Sequence, residues 1–133
     1  MEFSDVIKNR YSCKKFSSEQ IGKDKLDAIL EAGRVAPTAK NLQEQHIYVV
    51  QSESALETID KLTPCRYNAP TVLIVAFNKN NVFTYPGDKR NSGIEDATIV
   101  ATHLMLAAYN EGVDSCWINF FNPDELAKAF NLP

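Results

Sequence analysis

Residues 10–15 place one guanidinium, one serine hydroxyl and two ammonium groups in a single short stretch, Arg10-Tyr11-Ser12-Cys13-Lys14-Lys15, followed by Phe16. A guanidinium meets phosphate oxygens as a planar fork, and a hydroxyl adds a neutral donor, so the cluster suits a phosphate or another anion. Taken alone, a solvated basic turn is the plainer reading.

A second segment, Ala36-Pro37-Thr38-Ala39-Lys40-Asn41-Leu42-Gln43, ends a helical pattern in a proline-fixed loop with a hydroxyl and two carboxamides. The carboxamides of Asn41 and Gln43 each offer a donor beside an acceptor, which matches the edge of a heterocycle. A capped loop with local hydrogen bonds explains the same residues equally well. The third segment opens with Glu95-Asp96 and runs through an apolar stretch into Gly112-Val113-Asp114-Ser115-Cys116-Trp117-Ile118-Asn119-Phe120. An acidic first turn suits the helix dipole, and a lone tryptophan such as Trp117 is more often core than cofactor platform.

The elements that must position these segments follow from apolar spacing. Phe3, Val6, Ile7 and Arg10 fall at helical intervals behind Ser4, a candidate cap. Leu26, Ile29, Leu30 and Gly33 line one face of a helix from Asp24 to about Val35, ended by Pro37. His46 to Val50 reads as a strand and Ser54 to Leu62 as a helix. The continuous apolar run 71–77 has the pattern of a central strand covered on both faces. Residues 78–92 are a polar loop, and Ile94 to Glu111 is a helix apolar nearly all round, hence buried and capped by Gly112. Ser115 to Phe120 reads as a third strand, and Pro123 opens a last helix to Phe130. Three strands among five helices make an α+β arrangement whose sheet is small for its helices, so at least one strand is missing.

Composition narrows the classes. One hundred and thirty-three residues, 44% hydrophobic and 23% charged, suit one domain spanning residues 1–133. The net charge of -3 gives no general case for nucleic acid. No apolar run reaches the roughly 20 residues of a membrane span, and the charged start is unlike a secretory signal, so a cytoplasmic protein is expected. Cys13, Cys65 and Cys116 are odd in number and widely spaced, without CxxC or metal-ligand spacing, and read as reduced thiols; no metal is expected. His46 and His103 read as structural histidines.

Together and in this order, the three segments resemble the nitroreductase family. Residues 10–16 are similar to its N-terminal Arg-x-Ser-x-Arg/Lys-x-Phe motif, and residues 36–43 to its Ala-Pro-Ser-x-x-Asn-x-Gln motif. Residues 95–108 with 112–118 are similar to its central helix and following strand. The resemblance implies a small, mainly antiparallel central sheet flanked by helices, a long buried central helix, and a homodimer with FMN in a cleft between subunits. It places Arg10 and Ser12 near the phosphate and ribityl chain and Lys14 toward the ribityl or pyrimidine end, with Tyr11 counted among the cofactor residues. Pro37, Thr38 and Asn41 complete the site from the partner chain, and Ala39 and Gln43 are counted with the cofactor residues. Trp117 is counted with the cofactor residues, and the backbone at Ile118, Asn119 and Phe120 faces the flavin N5.

The implied activity is FMN-dependent hydride transfer from NAD(P)H to a nitroaromatic, quinone or similar planar acceptor. No catalytic side chain is needed, because the cofactor performs the chemistry. Two departures stand out. Glu44-Gln45 replaces the family's frequent Pro-Trp, and the sequence stops where the family continues into a further strand and a basic tail. That shortness motivates an alternative, a non-catalytic or regulatory flavin-binding dimer of the same fold. Another flavin-site reaction, such as reductive dehalogenation or flavin fragmentation, ranks last, since residues 78–92 are short for an elaborate lid.

Overall fold

Apolar periodicity in the chain becomes seven principal elements in a computed structural model that describes residues 1–87 and 89–132. Asp88, inside the anticipated loop, and Pro133, at the end of the expected domain, lie outside the described residues. In chain order these are α1 (Phe3–Asn9), α2 (Lys23–Arg34), β1 (Gln45–Val50), α3 (Glu53–Leu62), β2 (Val72–Phe77), α4 (Gly93–Asn110) and α5 (Pro123–Ala129). Capping explains several boundaries. Ser52 accepts from the Ala55 amide at 3.2 Å, and Asn122 accepts from Asp124 and Glu125 at 3.0 and 3.2 Å. Such side-chain acceptors satisfy the orphan donors of a first helical turn. Ser4, expected to cap α1, instead lies inside it, and the cap position falls to Glu2, whose side chain makes no capping bond.

β1 and β2 pair antiparallel, with His46 opposite Ala76, Tyr48 opposite Ile74 and Val50 opposite Val72. The sheet has these two strands only, among the described residues. The third strand expected at Ser115 to Phe120 does not form: Ser115 makes an isolated parallel bridge to Ser12, and the chain turns at Asn119, whose carbonyl accepts from the Phe121 amide at 3.0 Å. β-branched and aromatic character favours a strand only where a neighbouring backbone is available to pair with it. β2 likewise is not a covered central strand. Only Ile74 of its six residues is fully buried, because one of its edges has no described strand beside it.

α4 organises the rest. Asp96, Val100, Leu104 and Ala108, spaced by four, form one buried stripe, with Val100 wholly inaccessible. The burial is therefore one-sided and not all round, and Ile94 remains 74% exposed. Val100, Leu104 and Ala108 pack with Ile29 and Ala36, while a second cluster joins Val50, Ile59 and Ile74. α2 and α4 approach closely at Gly33, where a Cβ would stand 2.7 Å from Leu104 Cδ2. His103 Nδ1 lies 3.0 Å from the Ala32 carbonyl, so this histidine ties α4 to α2. Gly112, at φ +74, ends α4, and the Val113 amide donates back to the Ala108 carbonyl at 2.8 Å. That wrap satisfies carbonyls left over at a helix end and needs the left-handed conformation that glycine adopts freely.

Candidate functional site

The basic segment is held against the chain that leaves α4. The Cys13 amide donates to the Ser115 carbonyl at 2.9 Å, and the Tyr11 hydroxyl donates to Asp114 at 3.1 Å. The hydrogen bond to Asp114 raises the Tyr11 pKa, so the phenol keeps its proton. Between these anchors Arg10 reaches Ser12 through one terminal nitrogen at 3.4 Å, while its Nε is buried with no partner. A guanidinium nitrogen shut from water without an acceptor costs free energy, and an anion at this position would relieve it. Lys14 is exposed beside it.

The amide loop is held at the other end of α4. Asp96, 3% exposed on the first turn of that helix, accepts the Ala39 amide at 3.0 Å and the Ser92 hydroxyl at 2.6 Å. Within the loop the Asn41 amide donates to the Thr38 carbonyl at 2.9 Å and the Gln43 amide to the Thr38 hydroxyl at 3.0 Å. Lys40, Asn41 and Gln43 have φ of 56, 54 and 51. Left-handed backbone costs roughly 1–2 kcal/mol for most side chains and less for Asn, so the loop keeps this shape because it is tied from outside. Pro37 and the Asn41 side chain face solvent. Gln43 lines a hollow of about 580 Å³ with Asp27, Arg34 and Gln45, which turns it toward α2.

The two segments do not meet within one chain. No hydrogen bond among the described residues joins them, and the 18 residues of α4 separate their anchors, a helix length of about 27 Å. A larger groove, about 1480 Å³, runs between β2 and residues 115–119 and is lined by Trp117, Ile118 and Asn119, but by none of Arg10, Ser12, Lys14 or residues 37–43. Trp117 is 40% exposed and donates from its indole to Asn119 at 3.0 Å, and Phe120 is 72% exposed. Trp117 is thus a half-open surface and not a core residue.

One pair was invisible to the sequence reading. Glu44 is 2% exposed, and both of its carboxyl oxygens lack a partner that can donate to them. Burial, followed by the neighbouring Asp96, raises its pKa above the ordinary carboxyl range. Burial also pushes Asp96 up, but Ser92, Glu44 and the Ala39 amide together pull it below its ordinary value. Of the two, Glu44 is the one shifted toward its protonated form. The spacing of Asp96 with Val100, Leu104 and Ala108 could have marked its burial; nothing around Glu44 could. Among the described residues, no group of three or more His, Cys, Asp or Glu is placed to hold a metal ion, and no helix is long and apolar enough to cross a membrane.

Comparison with known proteins gives the family and the fold. The sequence profile described as the Nitroreductase family matches residues 7–66 and 63–133. The chain is similar to a nitroreductase family protein of Clostridium difficile 630, 35% identical, with 100% of this chain and 77% of that one superposing at a TM-score of 0.96. It is also similar to an FMN-dependent nitroreductase of Clostridium difficile R20291, 27% identical over 98% of this chain and 79% of that one, TM-score 0.78. The Bacillus subtilis (strain 168) protein YodC, which carries the provisional name NAD(P)H nitroreductase, is 27% identical over 96% of this chain and 81% of its own length. With its helices around a small antiparallel sheet and a profile match that spans nearly all of its length, this chain belongs to the nitroreductase family and has that family's α+β fold.

Proposed function

We propose that this protein is an FMN-dependent oxidoreductase that works as a homodimer and passes hydride from NAD(P)H to a nitroaromatic, quinone or similar planar acceptor in two half-reactions at one pocket. The observation that carries the reading is the buried, partnerless Nε of Arg10 beside Ser12, set at the opposite end of α4 from the carboxamide loop. One flavin is far shorter than the roughly 27 Å of that helix. Two copies packed in antiparallel fashion bring the basic segment of one beside the loop of the other. The names of the similar proteins support the cofactor and the reductant.

The residues present fit the group. Arg10 and Ser12 would hold the phosphate and ribityl chain, with Tyr11 kept in place by Asp114 and Lys14 adding positive charge nearby. Pro37, Thr38, Ala39 and Asn41 of the other protomer would hold the ring, together with the backbone of Ile118, Asn119 and Phe120. Gln43 and Trp117 border the site. FMN, when bound, supplies the hydride-accepting and hydride-donating chemistry. The chain's own task is to orient ring and acceptor, exclude water, and set cations and amide donors where negative charge collects on reduction.

The test is an absorbance spectrum with a solution mass. A yellow dimer bleached by NAD(P)H and re-oxidised by a quinone is the expected result. A colourless preparation that takes up no added FMN would reject the reading.

A further inference from the structure

We propose that Glu44 and Asp96 share a single proton, and that this carboxyl pair is the positioning element that holds the loop 38–43, with its left-handed Lys40, Asn41 and Gln43, in shape. The inference rests on the flavin reading for the loop's use, and on the structure alone for the loop's shape. Asp96 is the external acceptor of the Ala39 amide, at the point where the chain enters three left-handed residues within four positions. Its other oxygen takes the Ser92 hydroxyl, so Asp96 staples the loop to the start of α4.

Glu44 closes the same loop from its far side, and its carbonyl accepts the Asn78 amide at 2.9 Å. Two ionised carboxylates are both acceptors, so neither can satisfy the other, and both Glu44 oxygens stand without a donor. A proton on Glu44 turns it into the donor to Asp96 and removes the repulsion between two buried charges. The raised Glu44 and lowered Asp96 pKa values agree with that assignment. Other ionisable groups in the segments around the pair are Lys40 on the loop, Glu95 on α4, and Lys79, Tyr85, Lys89 and Arg90 on the chain between β2 and α4. Tyr85 donates to Glu95 at 2.5 Å, Lys40 lies over the Phe83 ring, and His46 on β1 is exposed.

The sign follows from proton counting. The tied loop keeps the Glu44 proton to higher pH than an untied loop, whose carboxyl titrates normally. As pH rises from the ordinary carboxyl range to the raised Glu44 value, the tied form loses favour by up to about tenfold per pH unit, then levels off.

The experiment is amide hydrogen exchange on the whole protein without added flavin, followed at residues 36–43 and expressed as protection relative to intrinsic rates. FMN affinity is measured in parallel over the same pH series. Wild-type protection should fall with pH through that window. Glu44→Gln, a neutral isostere that still donates, should hold protection level, and Asp96→Asn should lower it about tenfold or more at every pH. An equal pH-dependent fall in Glu44→Gln, or unchanged protection in Asp96→Asn, overturns the proposal. Should Asp96→Asn fail to fold, the wild-type and Glu44→Gln series still decide. A normal exchange response in a protein that never binds FMN sustains the carboxyl pair and defeats the flavin reading instead.

Discussion

Gly93 opens α4 with its Cα directly against the ring of Phe77, the last residue of β2, so that a Cβ at this position would fall inside the ring's van der Waals surface. This contact fixes where the long helix begins relative to the sheet, and the Asn91 side chain accepting the Gly93 amide at 2.9 Å sets the entry angle. Alanine is favoured over glycine in a helix by about 1 kcal/mol. Overpacking reverses the sign here, and Gly93→Ala is expected to destabilise the protein by roughly 1–3 kcal/mol in a denaturant titration. Gly22→Ala, where nothing stands within 4 Å, should stay within about 0.5 kcal/mol of wild type. Equal stability of Gly93→Ala and wild type would place α4 wrongly.

Arg10→Ala should weaken FMN retention while leaving folding nearly intact. Among the described residues the Arg10 side chain makes one hydrogen bond, at 3.4 Å to Ser12, so little native stability rests on it. A charge-assisted hydrogen bond contributes about 1.5–3 kcal/mol, which corresponds to an FMN Kd larger by roughly ten- to a hundredfold. Fluorescence titration with FMN reads the change. An unaltered Kd removes Arg10 from the phosphate site.

How much of this was legible in the sequence divides along physical lines. Apolar spacing located α2, α3 and α4 to within about two residues, because burial of one stripe is a local property of the chain. Gly112 and Pro123 marked their boundaries correctly for the same reason. Strand 115–120 failed because pairing depends on a neighbour that its own residues cannot report, and only Ser115 found one. Motif order singled out the two proposed site segments, yet not that each is anchored at an opposite end of α4. Glu44 was missed altogether. A buried carboxyl is recognisable only by what surrounds it, and Glu44 sits in a polar run between Gln43 and Gln45 that carries no apolar periodicity to mark it as inside.

Asp60 and Arg66 give a pH-dependent prediction away from the site. The guanidinium binds the carboxylate through two nitrogens at 2.7 and 2.8 Å and also donates to the Ala69 carbonyl at 2.8 Å, pinning the turn that leads into β2. Its hydrogen bonds hold Asp60 below the ordinary carboxylate range. The stabilisation is therefore complete above the unfolded pKa and disappears as pH falls through the folded one. Asp60→Asn should cost on the order of 1 kcal/mol at neutral pH, since the carboxylate is half exposed, and nothing at strongly acid pH. Urea midpoints at the two pH values check it; a difference that persists in acid contradicts the ion pair as its source.

Asn41 tests whether the loop's shape or its carboxamide serves the ring. Its backbone sits at φ +54 and its amide is already used by the Thr38 carbonyl, while its side chain is exposed in the single chain. Asn41→Ala removes the carboxamide and also places a Cβ residue without local compensation in left-handed backbone, which costs roughly 1 kcal/mol. Asn41→Gly removes the carboxamide and relaxes that strain. If the carboxamide reads the pyrimidine edge across the subunit boundary, both variants weaken FMN binding by about three- to tenfold, the scale of one neutral hydrogen bond, with the fold retained by circular dichroism. If only the loop's shape matters, Asn41→Gly binds like wild type and Asn41→Ala does not, which would withdraw the carboxamide contact and leave the backbone geometry set by Asp96 as the determinant.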